Sequence, residues 1–228
     1  MKQMKQVLRD MAEGEGGVRP LMGLEAEQIL GLSAMLDGKP HRQLDVLFQA
    51  WVEVSGHRNS SKALHKALEG QFVTSGVRPE PWIGNAMRAA QGVKRTTRGR
   101  HHLYVLVCDG YDDDGKGLGL YVGRSKYLPE TRFGQHASGL EESHAARLFR
   151  RDRNGPKHKP LALLPSFFNH LNPLPKAEAE VLEVALVEAM VAAGVPASRV
   201  GGPRDRSEDE SEPDEPSALA GEDGAPAT

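Results

Sequence analysis

LYVLVC (residues 103–108) and LGLYVG (residues 118–123) decide how this chain is read. Both runs are rich in β-branched and aromatic side chains, which suit a pleated, half-buried surface. Between them Asp109-Gly110-Tyr111-Asp112-Asp113-Asp114-Gly115-Lys116-Gly117 supplies turn residues, so the pair reads as a hairpin with a long loop. The acidity of that loop suggests a calcium site. An EF-hand loop, however, needs a glycine and a twelfth-position glutamate that are missing here.

Downstream of the hairpin the period becomes helical. Pro129 to Ala137 and Ser143 to Arg151 read as helices, the first opening on Pro129-Glu130, residues that suit a first turn. Lys157 to Leu164 can hold a short third strand. Lys176 to Ala193 is the clearest helix, with Val181, Leu182, Ala185, Leu186, Ala189 and Met190 as its apolar face. It should end at Gly194, with Pro196 close behind. Residues 103–202 are therefore expected to form an α+β domain, a small mixed sheet of about three strands flanked by helices.

Upstream, residues 1–93 read as short helices. Leu24, Ile29, Leu32, Met35 and Leu36 recur at helical spacing, as do Leu44, Leu47, Phe48, Trp51 and Val54. Asn59, Ser60 or Ser61 can cap a third helix carrying Leu64, Ala67 and Leu68. Such a region can be a helix-turn-helix reader of DNA or a bundle that packs on its neighbour. Residues 94–102 hold Lys94, Arg95, Arg98 and Arg100 without large apolar side chains. They read as an exposed linker, either merely solvated or in contact with phosphates.

Residues 203–228 carry nine acidic side chains, Pro, Ser and one large aliphatic residue, Leu219. So little apolar surface cannot offset the entropy of ordering, and a disordered tail is expected. Without that tail the body keeps 27 of the chain's 29 basic residues against 22 of its 31 acidic ones, a mildly basic balance compatible with a polyanion partner. No run approaches the ~20 apolar residues of a membrane span. The start, MKQMKQVLRDMAEGEGG, lacks the apolar core of a secretory signal. The single cysteine, Cys108, excludes an internal disulfide and a cysteine-based zinc cluster. A cytoplasmic protein is the expectation.

Function is suggested by the order of short motifs. His102-Leu103-Tyr104 on one strand and Tyr121-Val122-Gly123 on the next are followed by Arg132, by His136 four residues later, and by Leu182-Glu183 on a later helix. This order resembles that of the GIY-YIG endonucleases over roughly residues 102–202. The resemblance implies a metal-dependent endonuclease that hydrolyses phosphodiester bonds in DNA, with RNA left open as a substrate. It implies Mg²⁺ or Mn²⁺ as cofactor, held by Glu183, with Glu180 and Glu188 as neighbouring rivals. Tyr104 and Tyr121 would be the paired tyrosines that position or activate water.

The residue types fit that chemistry. The planar fork of Arg132 suits phosphate oxygens, and His136 lies one helical turn later with an ordinary pKa near neutrality. A phenol is a poor base unless a cation helps it, and Arg124 is placed to do so. Arg147, Arg150 and Arg151 read as phosphate contacts along the same groove or as a solvated basic face. Two positions depart from the pattern. His102 stands where the family usually has glycine, and Arg199-Val200-Gly201-Gly202 stands where it commonly has an active-site asparagine. The second departure motivates an alternative, a non-catalytic nucleic-acid-binding module on the same scaffold.

Overall fold

A computed structural model describes residues 26–35, 40–56, 62–110, 117–138, 151–152, 155–156 and 158–199. Its centre is the hairpin. Strand β1 (His102–Asp109) pairs antiparallel with β2 (Leu118–Ser125), in a register that sets Tyr104 opposite Gly123 and Leu106 opposite Tyr121. β1 is buried from Leu103 to Cys108, which explains a run of apolar residues without alternation: both of its faces are covered.

The expected third strand forms as β5 (Lys159–Leu163), antiparallel to the other edge of β1. A fourth was not expected. β6 (Ala197–Ser198) pairs parallel with β2, so the sheet is mixed and ordered β5-β1-β2-β6. Two residues are too short a run to show any period. A separate ribbon joins β3 (Arg151–Asp152) to β4 (Gly155–Pro156). Arg151 therefore stands in a strand and not in a helix running on from Ser143, since Gly155 and Pro156 supply its hydrogen-bonded partner. Arg147, Arg150, the acidic hairpin loop from Tyr111 to Lys116, the caps at Asn59–Ser61 and the tail lie outside the described residues.

Helices cover the sheet. α1 (Ala26–Met35), α2 (Pro40–Gly56), α3 (Lys62–Thr74) and α4 (Ile83–Gly92) precede it. α5 (Pro129–Ser138) follows the hairpin and packs on β5 and β1, while α6 (Lys176–Ala192) packs on β1, β2 and α4. α6 ends as expected, with Gly194 in the left-handed region (φ +76°) and Val195 N–H donating to the Met190 carbonyl at 3.1 Å. Its buried face is shifted, however. Ala179, Leu182, Glu183, Leu186 and Met190 are buried, whereas Val181 is 65% exposed. The true stripe runs 179-182-183-186-190 and includes a carboxylate, which an apolar template passes over.

The N-terminal helices and the sheet share one core. α2 is buried at every position from Leu44 to Ala50, and its Phe48 stacks on Phe72 of α3 at 5.5 Å between ring centroids. Residues 94–101 are held as a strap along the start of α6. Thr96 and Thr97 donate backbone and hydroxyl bonds to the Glu178 carboxylate, and Gly99 N–H donates to the Pro173 carbonyl at 3.2 Å. His101 and Leu174 exchange backbone bonds of 2.8 and 2.7 Å.

A second carboxylate inside the core ties α2 to the turn after β5. Asp45 accepts from the Ser166 hydroxyl at 2.5 Å, from Ser166 N–H at 3.3 Å and from Gln49 Nε2 at 3.2 Å. Burial pushes its pKa up from 3.8 to about 7, against the opposing pull of those bonds. The folded protein thus holds this proton to higher pH than the unfolded chain. The associated stability is full below about pH 4 and is lost as pH rises through about 7. Urea unfolding of wild type and Asp45→Asn across that window should show the wild type losing on the order of 1 kcal/mol or more relative to the variant. Parallel pH profiles would refute this account of Asp45.

Candidate active site

Four elements bring the predicted residues together. Tyr104 on β1 and Tyr121 and Gly123 on β2 share one face of the hairpin, following the two-residue alternation. The Tyr104 ring lies across Gly123: a Cβ there would stand 2.5 Å from both Cζ and the hydroxyl. Glycine at 123 is thus required by packing against Tyr104. The two phenol rings are 6.0 Å apart between centroids, and each is within 5.8 Å of the His136 ring from α5. The Tyr104 hydroxyl and His136 Nε2 are 2.9 Å apart.

Arg132, one turn before His136 on α5, is held by Gln135, which accepts from its terminal nitrogen at 2.6 Å. Its Nε is buried, and among the described residues no acceptor reaches it. The guanidinium bears electrostatically on Tyr104, Tyr121 and His136 alike. From the other side α6 presents Glu183, 8% exposed, whose Oε2 accepts from Arg124 Nε at 3.1 Å. Glu180, one turn earlier, pairs with the same guanidinium at 3.2 Å. Glu188 is exposed and takes no part in this pairing.

This geometry corrects two expectations. Arg124 does not serve the tyrosines; Glu183 and Glu180 engage it, and the cation that stabilises a Tyr104 phenolate is Arg132. Nor do the phenols become more acidic. Burial pushes both above the ordinary range, Tyr121 further than Tyr104. His136 is also displaced: burial, and then the Arg132 charge, hold it down at about 3, so the imidazole is neutral at physiological pH.

Gln135 was not anticipated, although its place three residues after Arg132 puts it on the same helix face. Nor was Asn172, whose side-chain amide bonds both the N–H and the carbonyl of Leu103 and steadies the strand next to Tyr104. Of the basic residues expected to touch phosphate, Arg124 is at the site, 21% exposed. The described residues contain no cluster of three His, Cys, Asp or Glu side chains suited to a metal. A single carboxylate completed by waters would not register as such a cluster.

No protein-family model matches the chain, and neither the curated proteins nor the solved structures contain a match. The resemblance to GIY-YIG nucleases therefore rests on the residues themselves and on where they meet.

Two measurements test the geometry. Gly123→Ala forces the buried Tyr104 ring to move, and a loss of about 1–3 kcal/mol in thermal or urea unfolding is expected. A melting temperature unchanged in that variant would mean that the ring does not lie over Gly123. In an NMR titration the His136 imidazole should stay neutral well below pH 6.5, with a midpoint near 3 that rises in Arg132→Gln. Because the folded pKa is depressed, His136 contributes its stability above about pH 6.5 and loses it as pH falls toward 3. An ordinary midpoint would overturn its burial beside Arg132.

Proposed function

We propose that the protein is a metal-dependent endonuclease hydrolysing phosphodiester bonds in DNA, built on a GIY-YIG-like scaffold. One observation carries this reading. Residues 104, 121, 132, 136 and 183, distant in sequence and singled out by motif order, converge around a buried guanidinium donor that no acceptor among the described residues satisfies. A phosphate oxygen is the acceptor such a fork suits, and a planar guanidinium holds one more selectively than an ammonium would.

The donor set fits a hard divalent cation. Glu183 and Glu180 bring two carboxylates against the one guanidinium of Arg124, an excess of one negative charge in the first half of α6. Carboxylate oxygens with waters suit Mg²⁺ or Mn²⁺, whereas zinc would call for histidine or thiolate ligands. Bound there by Glu183, such an ion supplies Lewis acidity and a lowered water pKa. This chain's own residues do the rest. Arg132 binds the phosphate and balances the charge that grows on it. Tyr104 and Tyr121, kept as neutral phenols, orient a water by hydrogen bonding. His136 fixes the direction of the Tyr104 hydroxyl, and an anion on Arg132 cancels part of the field that keeps the imidazole weakly basic.

A second reading, nucleic-acid binding without turnover, is favoured by the Arg124–Glu183 pair, which competes with a metal for the carboxylate, and by the Arg199 to Gly202 segment in place of the family's asparagine. Incubation with supercoiled plasmid and Mg²⁺ or Mn²⁺ separates the two. Nicking is expected, falling by at least ~100-fold in Glu183→Gln and in Arg132→Ala. Full activity in either variant would sink the mechanism. Salt-sensitive binding with no cleavage would establish the second reading instead.

A further inference from the structure

The strap between the helical region and β1 was read as a linker, yet its backbone is fixed at both ends of the stretch from Thr96 to His101. Gly99 faces inward: a Cβ there would meet the backbone of Leu174 and Pro175 at 2.1–2.3 Å. Arg98 and Arg100, on either side of it, are both exposed. Lys176 follows Pro175 directly. Lys126 directly follows Ser125, the last residue of β2, which pairs with His102. Burial disfavours a proton on His101, and Lys176 at the start of α6, Arg124 in β2 and Lys126 just past it add to that effect, so these three charges lie near one residue of the strap. The acids nearby are largely committed. Glu178 accepts from Thr96 and Thr97, and Glu180 pairs with Arg124; Glu130, which acts on His102, is the other acid facing this region.

We infer that Arg98 and Arg100, with Lys126 and Lys176, form a second phosphate-binding track. It adjoins the candidate site through Arg124 and holds the sugar–phosphate backbone of the nucleic acid on one side of the bond to be cut. The inference rests on the nuclease reading for what is held there. Lys126 lies over the exposed Tyr127 ring, 5.5 Å from its centroid; contacts from the four cations to phosphate add affinity without sequence choice. Two of them sit on a strap tied to the first turn of α6, the helix that bears Glu183. Backbone held on the track is therefore in fixed register with the site.

The test is binding of a labelled DNA duplex by the full chain, followed by fluorescence anisotropy across a salt series without divalent metal, so that nothing is cut. Each lost phosphate contact lowers the slope of log K against log salt by about 0.9. Arg98→Gln/Arg100→Gln should lower it by about 1.8, so that the wild type loses about tenfold more affinity than this variant between about 50 and about 200 mM salt. Arg98→Lys/Arg100→Lys should restore the slope, which a purely structural role for the two arginines would not predict. Arg78 and Lys159, exposed cations lining a cleft of about 720 Å³ at the far end of β1, provide the control; Arg78→Gln/Lys159→Gln should leave the slope alone. An unaltered slope in the Arg98→Gln/Arg100→Gln variant, or an equal fall in the control, overturns the track and leaves the nuclease reading intact. Wild type that binds through Arg98 and Arg100 but never nicks plasmid overturns catalysis and keeps the track. Wild type that binds neither duplex nor single strand at low salt overturns both.

Discussion

The Tyr104 ring lies against a strand position that has no side chain, and the rest of the site is arranged around that contact. With glycine at 123 the ring can cross to the neighbouring strand while its hydroxyl reaches His136 on α5. This fixes the hairpin register, because a slip of one residue would bring Arg124 or Val122 opposite Tyr104 and turn Tyr121 to the other face. It also fixes where α5 lies, since His136 is buried between the two phenols. Arg132 then follows from helical geometry, one turn away on the same face. A backbone requirement and the candidate constellation are in this way one constraint.

Glu183 supplies the opposite wall at a cost. A carboxylate on the buried stripe of α6 would be unfavourable alone, and Arg124 compensates it with a charge-assisted bond while Glu180 shares the same cation. Removing Arg124 would leave Glu183 buried and unpaired by it, so the pair is coupled. A helix serving only packing would carry an aliphatic residue between Leu182 and Leu186, where burial costs nothing in desolvation. Retaining an acid there makes sense if its charge is used.

How far the sequence discloses this depends on the length of the signal. The hairpin, α5, β5 and α6 were legible because each spans several residues with a clear period or a strong β bias. β6 was not, because two residues have no period. Val181 was misassigned because hydrophobicity marks what can be buried, and the stripe through Ala179 and Glu183 uses one small and one charged residue that the template discounts. Motif order singled out residues that the fold brings together, but it could not give their protonation. Identity suggested a phenol helped by Arg124 and a histidine near neutrality; burial, which is a property of the assembled fold, moved all three groups the other way. The strap shows the same limit. Composition gave its exposure and its charge, whereas its order comes from Glu178, ~80 residues later, through contacts no local pattern encodes.

Burial that weakens the phenols as bases also strengthens Arg132 as an electrophile. In a low-dielectric site a guanidinium acts on its neighbours more strongly than in water, and its effects on Tyr104, Tyr121 and His136 report that strength. Arg132 stands among neutral rings, tied to Gln135, with a buried Nε that nothing among the described residues satisfies. On the proposed nuclease reading, a phosphate would supply the acceptor that this donor lacks. The main electrostatic role in the proposed nuclease accordingly falls to Arg132 and to the Glu183 carboxylate. A populated phenolate is the one species that the burial of Tyr104 and Tyr121 works against.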